Sequence, residues 1–288
     1  MYQDDKLKEY IDKSALKIVD QTLHIRLSEK LSKKYDSGVY DNAIKSFKKY
    51  VKQIQNLNLK YPANANPIFY IYIVSDTDFV ELLQFPDKTK KGGGRPVQSY
   101  DLDSFNSAYG VSQNIFENFP EDPNLTREVN HIHELAHLVH SMFFQKNRFV
   151  SEGFAEAFVL YTMRYEDKFQ EHHNAIKNLK SNQIFTINEL LKMEKENIFF
   201  GKMLIPNQSC SFDLSYISSY LAIRACLEKI SSKFNMDRIE ATQKFLEIIK
   251  FSKFTNEWLV FDIADTLGFP RDELLAQKSL QIETLKGI

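Results

Sequence analysis

Thr126-Arg127-Glu128-Val129-Asn130-His131-Ile132-His133-Glu134-Leu135-Ala136-His137-Leu138-Val139-His140-Ser141-Met142 carries the most informative pattern in the chain. Leu125, Val129, Ile132, Leu135, Ala136, Leu138, Val139 and Met142 make an apolar stripe at helical spacing, with no proline or glycine until past Phe144. Pro123 precedes the stripe and Thr126 offers an N-cap. In such a helix His133 and His137 lie one turn apart on one face, where two imidazoles can bind one metal ion, with Glu134 beside them. A shuffled chain with the same seven histidines would contain a His-Glu-x-x-His pentad only about 0.01 times. A helix that merely happens to carry two histidines is therefore the weaker reading.

A catalytic zinc ion usually takes three protein ligands and keeps one position for water. The metzincin continuation, with glycine three and histidine six residues after the second ligand, fails twice, because His140 and Phe143 stand at those places. Phe149-Val150-Ser151-Glu152-Gly153-Phe154-Ala155-Glu156 supplies carboxylates instead. If a helix begins near Ser151, Glu152 and Glu156 fall one turn apart on one face. One of them can then ligate a metal while the other hydrogen-bonds the outer nitrogen of a ligand histidine.

His-Glu-x-x-His followed by Ser-Glu-Gly-Phe-Ala-Glu resembles the gluzincin metallopeptidases. The nearest patterns are the M1-type aminopeptidases, with Asn-Glu-Gly-Phe-Ala, and the bacterial collagenases, with Glu-Gly-Leu-Ala-Glu. The resemblance covers about thirty residues. It implies one zinc ion per chain held by His133, His137 and Glu152, with Glu156 orienting a ligand histidine. It also implies peptide-bond hydrolysis through a zinc-activated water, with Glu134 as general base. In M1-type enzymes a tyrosine opening a later helix stabilises the oxyanion; Tyr216 occupies a similar place here, and Tyr220 lies one turn further. The short segment after His137 predicts a tight turn around Gln145 to Phe149.

The Gly-x-Met-Glu-Asn segment by which M1-type aminopeptidases hold the substrate amine is absent, which favours an endopeptidase or a specialised peptidase over an aminopeptidase. The rival from another class is a non-catalytic, zinc-stabilised binding or regulatory protein. Glu134 argues against that rival, because a structural site normally takes four protein ligands and has no use for a glutamate that is not one of them.

Composition sets outer bounds. With 288 residues, 43% hydrophobic and 26% charged, the chain has the make-up of an ordinary globular enzyme. A formal charge of −1 gives no electrostatic reason to expect nucleic acid or an anionic membrane as partner; the gluzincin resemblance implies a peptide or protein substrate. Cys210 and Cys226 are too few for a disulfide framework. The stretch Met1 to Lys6 shows no basic region followed by an apolar run, and no membrane-length apolar segment occurs, so the expectation is a cytoplasmic location or a leader already removed.

Elsewhere, Leu7 to Lys34 is ambiguous between helix and strand, and Asp41 caps an expected helix through Ile44, Phe47, Tyr50, Val51, Ile54 and Leu57, with Lys45, Lys48, Lys49 and Lys52 on its wet side. Ile68 to Val74, apolar on both faces, predicts a central strand. Lys88 to Pro96 reads as a charged, glycine-rich surface loop, and Ala108-Tyr109-Gly110-Val111 as an edge strand able to pair with extended substrate. After Glu156 the pattern is helical nearly to the end. The expected fold class is α+β and zincin-like. An N-terminal α/β lobe with a small mixed sheet (residues 1–125) precedes a mainly helical catalytic lobe (residues 126–288), and zinc lies in the cleft between them.

Overall fold

Ser37-Gly38-Val39-Tyr40 precedes the apolar run at Ile44, Phe47, Tyr50, Val51 and Ile54, and the chain turns helical from Ser37, four residues before the Asp41 cap expected from sequence. The structure, a computed structural model, describes residues 15–18, 22–27, 37–62, 68–73, 94–98, 111–116, 125–143, 148–167, 176–196, 214–251, 263–268 and 270–271. Its contacts divide the chain into two compact units, Met1–Met142 and Phe143–Ile288.

The expectation of an α+β, zincin-like class built on a mixed sheet is corrected. Of the residues whose side chains are described, 77% are helical and 4% lie in a strand. Short apolar segments of the first 125 residues suggest a sheet layer, whereas among the described side chains helices supply nearly all of the buried apolar ones. Among the described strand side chains, Leu23, Ile25, Phe69 and Ile71 are buried.

In the first unit, helix α1 (Ser37–Gln55) turns Phe47, Tyr50, Val51 and Ile54 inward at i, i+3, i+4 and i+7, and leaves Lys45, Lys48, Lys49 and Lys52 exposed. Burying each of those apolar side chains contributes roughly 1.5–3 kcal/mol relative to leaving it in water. The backbone also pairs five short strands: β1 (Ala15–Ile18), β2 (Leu23–Leu27), β3 (Ile68–Ile73), β4 (Gly94–Gln98) and β5 (Val111–Phe116). Their order is β1-β2-β3-β5-β4. β3 is parallel to both β2 and β5, while β1 and β4 run antiparallel to their neighbours.

Two sequence expectations change here. Residues 108–110 lie outside the described residues, and Val111 opens β5, which is flanked by β3 and β4 and so is not an edge. Among the described residues the outer strand on that side is β4, which overlaps the end of the Lys88 to Pro96 stretch expected as a surface loop; Pro96, which lacks an N–H to donate, is tolerable on an outer strand.

Helix α2 (Leu125–Ser141) packs on β4, β5 and α1. Val129, Ile132, Leu135, Ala136, Leu138 and Val139 are buried along it, as its apolar spacing requires. His131 is buried too: its ring stacks on Tyr50 at 5.9 Å and tilts against Phe47 at 5.4 Å. Lys49 and Glu128 join α1 to α2 by an ion pair of 3.0 Å; with the lysine largely exposed, it contributes little to stability.

Every described secondary-structure element of the second unit is helical. Helix α3 (Arg148–Ala157) starts three residues earlier than the Ser151 boundary expected from sequence and runs into a buried π-turn, Phe158–Thr162, that closes with Met163 N–H donating to the Phe158 carbonyl. Residues 144–147, where the tight turn was expected, lie outside the described residues. Helix α4 (Ile187–Lys195) opens with a reciprocal cap between Thr186 and Glu189. Helices α5 (Leu214–Phe234) and α6 (Arg238–Phe251) are separated by Asn235, in the left-handed region at φ 51°, and by Asp237, whose carboxylate accepts the Ile239 and Glu240 N–H groups.

Phe154, Phe158 and Phe245 form the aromatic centre of this unit, Phe154 stacking on Phe245 at 6.1 Å and meeting Phe158 at 5.6 Å. A buried ionic cluster lies alongside. Arg224 donates to Glu166, Tyr220 and Glu228, Arg238 donates to the other Glu166 oxygen at 2.7 Å, and both guanidinium groups sit over the Tyr161 ring. No helix among the described residues is long and apolar enough to cross a membrane.

Candidate metal centre

The α2 stripe fixes where the histidines go. Once Ile132, Leu135, Ala136 and Val139 are buried on the core side, the one-turn spacing leaves His133 and His137 side by side on another face of the helix. Their ring centroids are 4.7 Å apart with the planes nearly perpendicular, and the two Nε2 atoms converge to 3.1 Å. His137 is buried and His133 half-buried.

On α3, Val150, Phe154, Ala155 and Ala157 are buried, and Ser151, Glu152 and Glu156 are half-buried. One ligand atom each of His133, His137 and Glu152 lies within 4.8 Å of the others. These three residues make a possible metal-binding triad.

The donor set tests well for a divalent ion. Two neutral imidazoles and one carboxylate are the ligand types of a His₂Glu catalytic zinc site, with zinc–nitrogen bonds of about 2.0–2.1 Å. A tetrahedral ion with such bonds separates adjacent ligand nitrogens by about 3.3 Å, close to the 3.1 Å between the two Nε2 atoms.

Glu134 follows His133 on α2 and is half-buried; Glu156 stands one turn after Glu152 on α3. Tyr216 occupies the first turn of α5, half-buried, and is not one of the three clustered residues. Tyr220, the other tyrosine weighed from sequence, is buried, and its hydroxyl accepts a hydrogen bond from Arg224 at 2.6 Å. Burial pushes its phenol well above the ordinary tyrosine value, and the positive charge of Arg224 only partly opposes that. Its hydroxyl is thus engaged inside the second unit.

Two features of this region escaped the sequence reading. Arg224 and Glu166 are separated by 58 positions, with no local spacing to join them. Gly153 was read only as part of a motif, yet it lies where α3 crosses α5: a Cβ there would overlap the Ser219 carbonyl oxygen and come within 2.7 Å of Ile223 Cγ1. An isolated glycine inside an otherwise helical pattern is the signal that could have found it.

No protein-family model matches the sequence, and no curated protein matches it.

Proposed function

We propose that this protein is a zinc-dependent metallopeptidase acting on peptide or protein substrates, with one zinc ion per chain held by His133, His137 and Glu152. The observation that carries the reading is the convergence of those three ligand groups next to Glu134 in the chain. Zinc held there would supply a Lewis acid that makes water nucleophilic near neutral pH and polarises a carbonyl. Glu134 accepts the proton of the attacking water and passes it to the departing amine, work that requires an ionised carboxylate not consumed as a ligand. Glu156 steadies a ligand histidine through its outer ring nitrogen. Tyr216 donates a hydrogen bond to the oxyanion; it is preferred because it is half-buried at the start of α5, whereas Tyr220 is buried against Arg224 inside the second unit.

β4 supports a peptide as the substrate class. It has one paired neighbour among the described residues and packs against the helix that carries both histidines. An outer strand binds extended backbone with little regard to side chain, which suits an endopeptidase or a specialised peptidase.

The test is cleavage of a peptide library, with free and with blocked N-termini, by zinc-loaded protein. Internal cleavage of blocked peptides is expected, and it should stop on chelation and return with zinc. Cleavage of unblocked peptides alone would replace this reading with an aminopeptidase, and no cleavage by zinc-replete protein would replace it with a zinc-stabilised binding or regulatory protein.

A further inference from the structure

We infer that Gly153 is a positioning residue for the metal ligand beside it: by lacking a side chain it sets how deeply α3 seats on α5, and so where the Glu152 carboxylate stands. The inference rests on the metal-centre reading above and extends it to a residue that cannot itself bind a metal.

Helix interiors disfavour glycine by about 1 kcal/mol relative to alanine, so a glycine in the middle of α3 needs a compensating reason. The crossing supplies one. A Cβ at position 153 would overlap the Ser219 carbonyl oxygen, a backbone atom held in the α5 ladder, and would press within 2.7 Å of Ile223 Cγ1. Neither neighbour can swing clear as the tip of a long side chain would. Ser219 is fully buried and its Oγ donates to the Ser215 carbonyl at 2.7 Å, while Ser218 Oγ accepts from Phe185 N–H at 3.0 Å. The α5 side of the crossing is therefore fixed, and an added methyl group must displace α3.

Displacing α3 moves Glu152, whose Cα is one residue away. Phe154, on the other side of Gly153, is anchored against Phe158 and Phe245, so the helix would pivot about that aromatic anchor as well as lift. Ligand bonds tolerate errors of only about 0.2 Å. A shift of a few tenths of an ångström that the core absorbs is therefore large at the carboxylate.

The experiment uses the full chain and compares wild type with Gly153→Ala, Ile223→Ala and Phe245→Leu. Ile223→Ala loosens the same crossing without adding a clash, and keeps the idea testable if Gly153→Ala does not fold. Phe245→Leu destabilises the same unit away from the crossing. Zinc affinity is measured by competition with a chromophoric chelator and normalised to the folded fraction from circular dichroism; the cobalt(II) visible spectrum reports ligand geometry. We expect zinc affinity to fall about 10- to 100-fold in Gly153→Ala, with an altered cobalt spectrum. A smaller change in the same direction is expected in Ile223→Ala, and neither change in Phe245→Leu. Wild-type affinity and spectrum in Gly153→Ala, or in Ile223→Ala should the former not fold, would overturn the inference while leaving the metal centre standing. An equal loss in Phe245→Leu would overturn it as well, by showing that general stability controls binding. Wild type that binds neither metal would remove both the inference and the reading beneath it.

Discussion

Glu134→Gln should retain its metal and lose turnover by roughly 10²- to 10⁴-fold, the usual contribution of a positioned general base. The substitution preserves size and hydrogen-bonding shape but cannot accept a proton, so it separates proton transfer from folding. Glu134 is half-buried on α2, one residue from His133, and is not one of the three clustered ligand groups. Its removal therefore leaves the donor set intact. The check pairs kcat on a cleaved peptide with metal stoichiometry on the same preparation. Wild-type turnover in the variant would refute a Glu134-based mechanism, and loss of the metal would place Glu134 among the ligands instead.

Arg224→Ala should cost about 3–5 kcal/mol of unfolding free energy, the usual cost of removing one partner from a buried ion pair. The guanidinium satisfies Glu166, Tyr220 and Glu228 together, and both Arg224 and Glu166 are almost wholly buried. Truncating it leaves the Glu166 carboxylate desolvated with only Arg238, itself a third exposed, as an ionic partner. Arg238 keeps one Glu166 oxygen occupied, which limits the loss. Urea denaturation measures the effect, and a change below about 1 kcal/mol would show that the cluster relaxes to water or repacks.

The part of this molecule legible in the sequence is the part governed by short periodicity. The α2 stripe foretold which face is buried, and with it that His133 and His137 share another; the lysine face of α1 was equally plain. Glu152 and Glu156 could be placed on one helix from spacing alone, although α3 begins at Arg148 rather than near Ser151. What failed depended on partners distant in the chain. Val111 looked like an edge because nothing in its neighbourhood reveals that β4, from a glycine-rich stretch, pairs outside it. The fold class went wrong for a related reason: short strand-like stretches, above all Ile68 to Val74 with apolar residues on both faces, were weighted as a layer, while helices supply nearly all of the described core. The Arg224 contact with the Tyr220 hydroxyl lies within α5, yet polar and apolar patterning does not single it out. Gly153 carried a composition signal, but its meaning resides in Ser219 and Ile223, more than sixty positions further along.

The most direct test of the central claim is the metal content of purified protein by elemental mass spectrometry, comparing wild type with Glu152→Ala. The account predicts close to one zinc per chain in wild type and a sharp fall in the variant, because Glu152 is the only carboxylate clustered with His133 and His137 among the described residues. Zinc content unaffected by Glu152→Ala would contradict that ligand assignment, and wild type without zinc even after reconstitution would contradict the metal centre itself.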